Sequence, residues 1–259
     1  MTVQDFYDII DRIAPFETQA EFDNSGLLAG SAGHEVDCVL LALDLTDAVI
    51  DEAVSLGAQL IITHHPLMFS PRRRLTDEDG EGRILRRLIR EDISLIAAHT
   101  NLDQAPGGIN DALAELCGLQ NITGEGFLRA GELSQPVRAA DYAETLKDRL
   151  GDAVRLMGPE NAVLRRVAVC SGAGGDEWED ALRLGCDAFI SGEIKHHQAL
   201  AMADSGLVAF ACGHHATEAP GITALAAALQ NALNTLQCYV GVFVSEKPAY
   251  AFAPRAEKA

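Results

Sequence analysis

Two similar stretches of sequence decide the fold: DEAVSLGAQLIITHH at residues 51–65 and EDALRLGCDAFISGE at residues 179–193. They align without a gap. In each stretch a short amphipathic helix ends at a glycine, Gly57 or Gly185, because glycine accepts the left-handed conformation at a helix end. An apolar strand of the buried type then follows. An internal repeat of this kind predicts two related structural units.

Each stretch lies within a longer series of strands and helices. An apolar strand precedes it, Val36–Leu43 in the first series and Val167–Cys170 in the second. Strands that alternate with helices of about ten residues predict βαβ units and a largely parallel sheet. The elements predicted to follow are a helix over Arg83–Arg90 and a strand over Ser94–Ala98 in the first series, and a helix over His197–Ala203 and a strand over Leu207–Cys212 in the second.

The sequence therefore predicts an α/β fold of two related halves. We place the first half at residues 1–125 and the second at residues 126–259, because the segment 121–135 between them is rich in turn formers. A last strand, Cys238–Ser245, is expected to close the second half. The tail from Glu246 to Ala259 is expected to be poorly ordered.

Composition narrows the class of protein. The chain is 48% hydrophobic and 22% charged, which is ordinary for a globular protein. Its net charge of −18 argues against a nucleic-acid or anionic-membrane partner. Six cysteines without CxxC spacing predict reduced thiols and a cytoplasmic protein. The first 15 residues predict an acidic amphipathic helix rather than a signal peptide, and no apolar run approaches the ~18 residues of a membrane span.

Histidines cluster where predicted strands end. His64 and His65 follow one strand of the first half, and His99 follows the next. His214 follows the matching strand of the second half. Six of the eight histidines form adjacent pairs, more than random placement would give. Ligands of such sheets bind beyond the carboxyl ends of the strands, so these imidazoles are candidates for a site.

Two carboxylates occupy equivalent places beside these histidines. Asp103 lies in a His-x3-Asp pattern with His99, and Glu218 lies in a His-x3-Glu pattern with His214. Imidazole and carboxylate groups bind zinc, iron, manganese or nickel, and a carboxylate can bridge two ions. If the halves pack face to face, these groups converge on one metal-binding cleft. His34, in a polar loop, is expected to be an ordinary surface residue.

The segment GEIKHH at residues 192–197 is ambiguous. In the repeat alignment Glu193 occupies the position of His65. Glu193, Lys195 or His197 could support a metal ligand or act as a general acid or base. Capping of the next helix is the competing interpretation. We take Glu193 and His197 as the candidate catalytic residues.

Five motifs, in order along nearly the whole chain, resemble those of the NIF3-like proteins, which are also known as homologues of type 2 GTP cyclohydrolase 1. One departure is Phe22, where the family commonly has tryptophan. The motifs are FDNSGL (22–27), THHPLMF (63–69), HTNLDQAPGGIND (99–111), GEIKHH (192–197) and GHHATE (213–218).

The resemblance implies a NIF3-like fold of two interlocked α/β halves with mixed, largely parallel sheets. It also implies two divalent metal ions per subunit and a toroidal homohexamer whose metal sites face an internal cavity. By motif, the implied metal ligands are His64, His65, Asp103, His214 and Glu218, with His99 as an additional ligand or a supporting residue.

Two functions are consistent with these features. The first is a dinuclear metal-dependent hydrolase in which metal-activated water attacks a nucleotide or another small molecule. The family name suggests ring opening of GTP. No Walker loop is present, so a nucleotide would bind through the metals and through nearby cations such as Arg72–Arg74. The alternative is a non-catalytic metal-binding hexamer that acts as an interaction partner, a regulator or a metal carrier.

Overall fold

A computed structural model of the chain describes residues 1–151 and 154–247. The predicted poorly ordered tail lies outside the described residues, except for Glu246 and Lys247. The strands are β1 (Gly26–Ala29), β2 (Cys38–Ala42), β3 (Leu60–Thr63), β4 (Ser94–Ala97), β5 (Leu119–Thr123), β6 (Arg129–Arg138), β7 (Arg155–Met157), β8 (Val163–Cys170), β9 (Ala188–Ser191), β10 (Val208–Ala211) and β11 (Gly241–Val244). The helices are α1 (Val3–Ile13), α2 (Asp47–Leu56), α3 (Gly80–Glu91), α4 (Thr100–Gln104), α5 (Ile109–Leu116), α6 (Ala139–Leu150), α7 (Trp178–Arg183), α8 (His196–Ser205) and α9 (His214–Thr235).

The sequence repeat corresponds to a structural repeat. The series β2-α2-β3-α3-β4 forms three parallel strands, and β8-α7-β9-α8-β10 forms three more. Gly57 ends α2 at φ 67°, and Gly185 follows α7 at φ 70°. Both glycines therefore have the left-handed conformation that the sequence predicts.

The strands form two mixed sheets. The first has the order β1-β4-β3-β2-β11, with β1 antiparallel to β4. The second has the order β5-β6-β8-β9-β10-β7, and its antiparallel pairs involve β5, β6 and β7. The predicted α/β fold with mixed sheets is confirmed. The first sheet is largely parallel, and the second combines two parallel with three antiparallel strand pairs.

The predicted partner of the last strand is wrong. We expected Cys238–Ser245 to close the second half, but β11 pairs in parallel with β2 of the first sheet, Gly241 opposite Cys38. The reason is the path of α9, whose apolar residues, such as Leu225 and Leu229, belong to the core of the first sheet. The chain therefore leaves α9 beside β2.

Helices cover both faces of the first sheet. Val39 and Leu41 of β2 point into a core shared with α1 and α9. Leu40 and Ala42 point into the opposite core, which α2 and α3 cover. Burial on both faces explains why these strands are apolar throughout rather than alternating.

The two halves cross where α5 meets α9. Ile109 at the start of α5 belongs to the core of the first sheet, whereas Leu113 belongs to that of the second. Gly221 of α9 lies so close to α5 that a Cβ at this position would be 2.8 Å from Ile109 Cα. This crossing fixes the position of the first turns of α9, which carry His214 and Glu218. Because helices of each half enter the core of the other, the division at residues 125 and 126 stays a prediction.

Two further features bear on the expectations from composition. No helix of the described residues is long and apolar enough to cross a membrane. All six cysteines carry free thiols, and five of them are buried.

The substitution Gly221→Ala tests the helix crossing. The added methyl group has no space against the backbone of Ile109, so the helices must separate. We expect the free energy of unfolding in urea to fall by about 1–3 kcal/mol. Gly80→Ala is the matched control, since this helical glycine faces open space and has no neighbour within 4 Å. Equal stability of the two variants would contradict the close crossing.

Candidate metal centre

The ends of three parallel strands bring the predicted ligands together. His64 and His65 directly follow β3, and His99 follows β4 and precedes α4. His214 begins α9, just after β10. Asp103 lies within α4 and Glu218 lies one turn into α9, four residues after His99 and His214, respectively. The strand ends of both sheets therefore face one centre.

Glu218 lies at the middle of this centre. Its Oε2 atom lies 3.1 Å from His65 Nε2, and its Oε1 atom lies 3.1 Å from His214 Nε2. The two Nε2 atoms of His65 and His214 are 3.4 Å apart. The ligand atoms of these three residues all lie within 4.8 Å of one another, which is compact enough to hold one ion.

A second group of ligands adjoins the first. His64 Nε2 lies 3.6 Å from Asp103 Oδ1 and 3.9 Å from Glu218 Oε1. His64, His65 and His99 also have ligand atoms within 4.8 Å of one another. Because Glu218 faces both groups, its carboxylate is placed where a bridging ligand would lie.

Each of the four imidazoles is held by its Nδ1 atom. A carbonyl oxygen has no proton and an ionised carboxylate only accepts, so each Nδ1 carries a hydrogen. Nε2 is then the atom left to bind a metal, once it has released any proton of its own. Metal-binding histidines are commonly oriented in this way. The acceptors are Ala98 O for His64 (2.9 Å), Asp44 Oδ1 for His65 (2.8 Å), Asp23 Oδ1 for His99 (2.8 Å) and Glu193 Oε1 for His214 (2.8 Å).

Sequence reasoning missed Asp44 and Asp23. Asp44 follows β2 by two residues, so the rule that pointed to the other strand ends could have found it. Asp23 lies in the FDNSGL motif, but nothing in its local pattern indicates a contact with His99. The Asp23 side chain is fully buried and also accepts hydrogen bonds from Thr100. Burial alone would raise its pKa, but the bonds from His99 and Thr100 outweigh burial and lower it.

Burial strongly affects His64 and Asp103. Full burial, more than any neighbouring charge, lowers the pKa of His64 to about 3, so its imidazole is neutral. Burial, reinforced by the charge of Glu218, raises the pKa of Asp103 well above its usual value. Both groups therefore lie in a site that disfavours uncompensated charge.

The remaining three groups form a network of opposite charges. Burial would lower the pKa of His65, but the carboxylates of Asp44 and Glu218 raise it to about 10. The hydrogen bond with Glu218 raises the pKa of His214 to about 9. Burial opposes ionisation of Glu218, yet His214 and His65 lower its pKa.

These residues fit a divalent cation. His64 Nε2 is buried without a hydrogen-bond partner among the described residues, although such atoms are normally satisfied. The buried Glu218 Oε2 has His65 Nε2 at 3.1 Å but forms no hydrogen bond of good geometry. A cation bound between His64 Nε2 and Glu218 Oε2 would satisfy both. The nitrogen and oxygen donors, with no thiolate, match the preferences of zinc, iron, manganese or nickel.

Two glycines let the loops after β8 and β9 approach the centre. A Cβ on Gly172, which has φ 55°, would clash with Glu218 Oε1 and lie 3.2 Å from His214 Nε2. A Cβ on Gly192 would lie 2.8 Å from His214 Cα. These loops therefore press against the first turns of α9 and fix its two ligand candidates.

The candidate catalytic residues differ in position. Glu193 contacts His214 and keeps 61% of its side chain exposed. His197 is exposed on the first turn of α8 and does not line the cavity beside the centre. The proton-transfer role of each stays a prediction. His34, expected to be a surface residue, lies away from the metal centre, with its Nε2 atom 3.8 Å from Asp92 Oδ2.

The chain thus combines a repeated α/β scaffold with a compact group of His and carboxylate side chains that could hold a metal ion. Its sequence matches the family Duf34/NIF3 (NGG1p interacting factor 3) over residues 1–249. The chain belongs to this family, as its motifs indicated.

Named relatives and solved structures agree with this assignment. A GTP cyclohydrolase 1 type 2 homolog of Clostridium perfringens is 36% identical over 230 residues, 85% of this chain and 88% of that protein. A homolog of the same name from Campylobacter jejuni is 32% identical over 254 residues, 97% of this chain and 100% of that protein. The crystal structure of the hypothetical protein SA1388 of Staphylococcus aureus superimposes with a TM-score of 0.94 at 31% identity, covering 98% of this chain and 99% of that one.

The substitution Asp44→Asn tests the support of the histidines. Loss of the negative charge at His65 Nδ1 makes that imidazole a poorer ligand, so we expect zinc affinity to fall about 10- to 100-fold by isothermal titration calorimetry. Asp37→Asn removes the same charge from an exposed position before β2 and is expected to leave affinity unchanged. If the two variants bound zinc equally well, Asp44 would have no part in the centre.

Proposed function

We propose that this chain is a metal-dependent hydrolase that holds two divalent ions at the centre described above and acts on a small molecule. One observation carries the proposal: the Nε2 atoms of His64, His65 and His214 lie 3.1–3.9 Å from the carboxylates of Asp103 and Glu218. The Nδ1 atoms of these three histidines and of His99 are each held by an acceptor. The proposed ligands are His64, His65, Asp103, His214 and Glu218, with His99 as an additional ligand or a supporting residue.

In this proposal, different side chains compensate the charge of the ions and orient the ligands. Divalent ions at such a centre supply Lewis acidity and make a coordinated water acidic enough to react near neutral pH. Glu218 and Asp103 compensate the positive charge from within the protein. Asp44 and Glu193 hold His65 and His214 in the orientation that ligation requires.

Glu193 is the better placed of the two candidate catalytic residues. Its Oε1 atom holds His214, and its exposed carboxylate lies outside both compact groups of ligand atoms. We propose that it positions His214 and accepts a proton during the reaction. His197 has a part only if the substrate reaches the exposed first turn of α8.

The cavity beside the centre favours catalysis over the non-catalytic alternative. A space of about 510 Å³, within the usual range for small-molecule sites, opens against His65, His99 and His214. A metal carrier has no need of such a space at its ions. Assembly into a hexamer, which the resemblance implies, is part of the proposal.

Comparison of Glu193→Gln with the wild type tests the function. We propose to reload both proteins with zinc, iron, manganese or nickel and to assay hydrolysis of nucleosides, nucleotides, phosphoesters and cyclic amides. We expect the wild type to hydrolyse at least one class. Glu193→Gln should bind its metal more weakly, as Asp44→Asn does, because it loses the charged acceptor of His214. At metal concentrations that saturate both proteins, its kcat should still be lowered about 10- to 100-fold with little change in KM.

His197→Gln is the matched control from the same segment. We expect it to keep nearly full activity, because His197 neither lines the cavity nor contacts a candidate ligand, whereas Glu193, also outside the lining, bonds to His214. If His197→Gln lost activity and Glu193→Gln did not, the proton-transfer role would belong to α8. A wild type that turns over no substrate with any of the four metals would support the carrier or regulatory alternative.

A further inference from the structure

Three phenylalanines line the cavity beside the metal centre. Phe22, Phe69 and Phe127 come from three separate loops. Phe22 is 70% exposed and Phe69 is 50% exposed, although large apolar side chains are usually buried. The Phe69 ring also lies edge-on to His99, with ring centroids 5.5 Å apart. Aromatic rings therefore lie at the opening of the cavity and extend to the wall that carries the candidate metal ligands.

Apart from the candidate metal ligands, the charged groups of the cavity lining are acidic. Its described lining includes the carboxylates of Asp176 and Glu177 beside those of Asp103 and Glu218, and it includes neither lysine nor arginine. Burial, together with the charges of Glu177, Asp103 and Glu218, raises the pKa of the Cys170 thiol, which lines the same space. Asp176 and Glu177 thus add negative charge outside the candidate metal ligands, where no lysine or arginine of the described lining offsets it.

The arginines suggested by the sequence as phosphate ligands are engaged elsewhere. Arg72 forms ion pairs with Asp79 and Glu81, and Arg72–Arg74 line a different cavity. Lys195, which is exposed near the rim, lies 3.8 Å from Asp176. An anionic ligand in this cavity would therefore meet Lys195 only together with the carboxylate of Asp176.

The glycine-rich loop after β8 has a structural explanation that needs no phosphate. A Cβ on Gly174 would lie 2.8 Å from Cys170 Cβ, and a Cβ on Gly175 would lie 2.5 Å from Glu193 O. The close packing of the protein therefore requires these glycines. Asp176 and Glu177 follow directly and would repel a phosphate placed there.

Most polar side chains of the lining bind other protein groups. Asn110 donates to Asp103 O and accepts from the Ser171 backbone nitrogen. The Thr100 hydroxyl donates to Asp23. Apolar rings and the metal centre are thus the features left for a ligand to contact.

We propose that this cavity selects an uncharged, planar ring compound, stacked on the exposed phenylalanines with one edge toward the metal centre, and discriminates against its phosphorylated forms. The proposal rests on the proposed function, because it names the substrate class of the same site. It favours the base or nucleoside over the nucleoside triphosphate that the name of the relatives suggests.

Matched pairs of ligands test the selection by charge. Zinc-loaded protein would be titrated calorimetrically with the four common bases, their nucleosides and the corresponding 5′-monophosphates. We expect at least one base or nucleoside to bind, and its monophosphate to bind at least about tenfold more weakly. The difference should narrow as salt rises from about 20 to about 200 mM, because screening weakens the repulsion. Tighter binding of the monophosphate, or no binding by any uncharged member, would overturn the proposal.

Phe22→Leu tests the aromatic contact, because it keeps an apolar side chain and removes the ring. We expect the affinity for the uncharged ligand to fall about three- to tenfold with unchanged zinc content. Phe243→Leu is the control, since Phe243 is an exposed phenylalanine on β11 that does not line this cavity. If Phe22→Leu altered the sedimentation of the protein but not its ligand affinity, Phe22 would serve contact between chains and the stacking proposal would be wrong.

The outcomes separate this inference from the proposed function. Selective binding of uncharged rings without turnover would retain the inference and refute the hydrolase. Turnover confined to phosphorylated substrates would retain the hydrolase and refute the inference.

Discussion

The carboxylate of Glu218 is the constraint on which the rest of the site depends. Its side chain is only 5% exposed and lies among His64, His65 and His214. A buried carboxylate costs several kcal/mol unless charge and hydrogen bonds compensate it. The compensation comes from both halves, because two of these imidazoles follow β3 of the first sheet and one follows β10 of the second. The centre can form only when the two sheets are correctly packed.

This dependence explains features of the fold remote from the ligands. The close crossing at Gly221 and Ile109 positions α9, which brings Glu218 toward the first sheet. The same helix fills the core of that sheet and returns the chain to β2, where β11 is added. The site and the interlocking of the halves thus share one structural cause, the path of α9.

Local patterns predicted most of the scaffold and the inner part of the site. The repeat around Gly57 and Gly185 predicted the βαβ units, and the rule for strand ends pointed to His64, His65 and His99. The acceptors that hold the imidazoles were harder to predict, because the partners lie far apart in sequence: 21 residues separate His65 from Asp44, and 76 separate His99 from Asp23. Among 38 acidic residues, Asp44 is marked only by its place just after β2, and nothing local distinguishes Asp23. The partner of β11 was mispredicted for a similar reason, since tertiary packing of α9 decides it.

The central claim is that one carboxylate lies between two ions. Anomalous diffraction at the zinc edge, from crystals grown with zinc, tests it most directly. The account predicts two peaks per chain, about 3.5–4 Å apart, with the Glu218 carboxylate between them. A single peak, or two peaks in separate cavities with Glu218 beside only one, would contradict it.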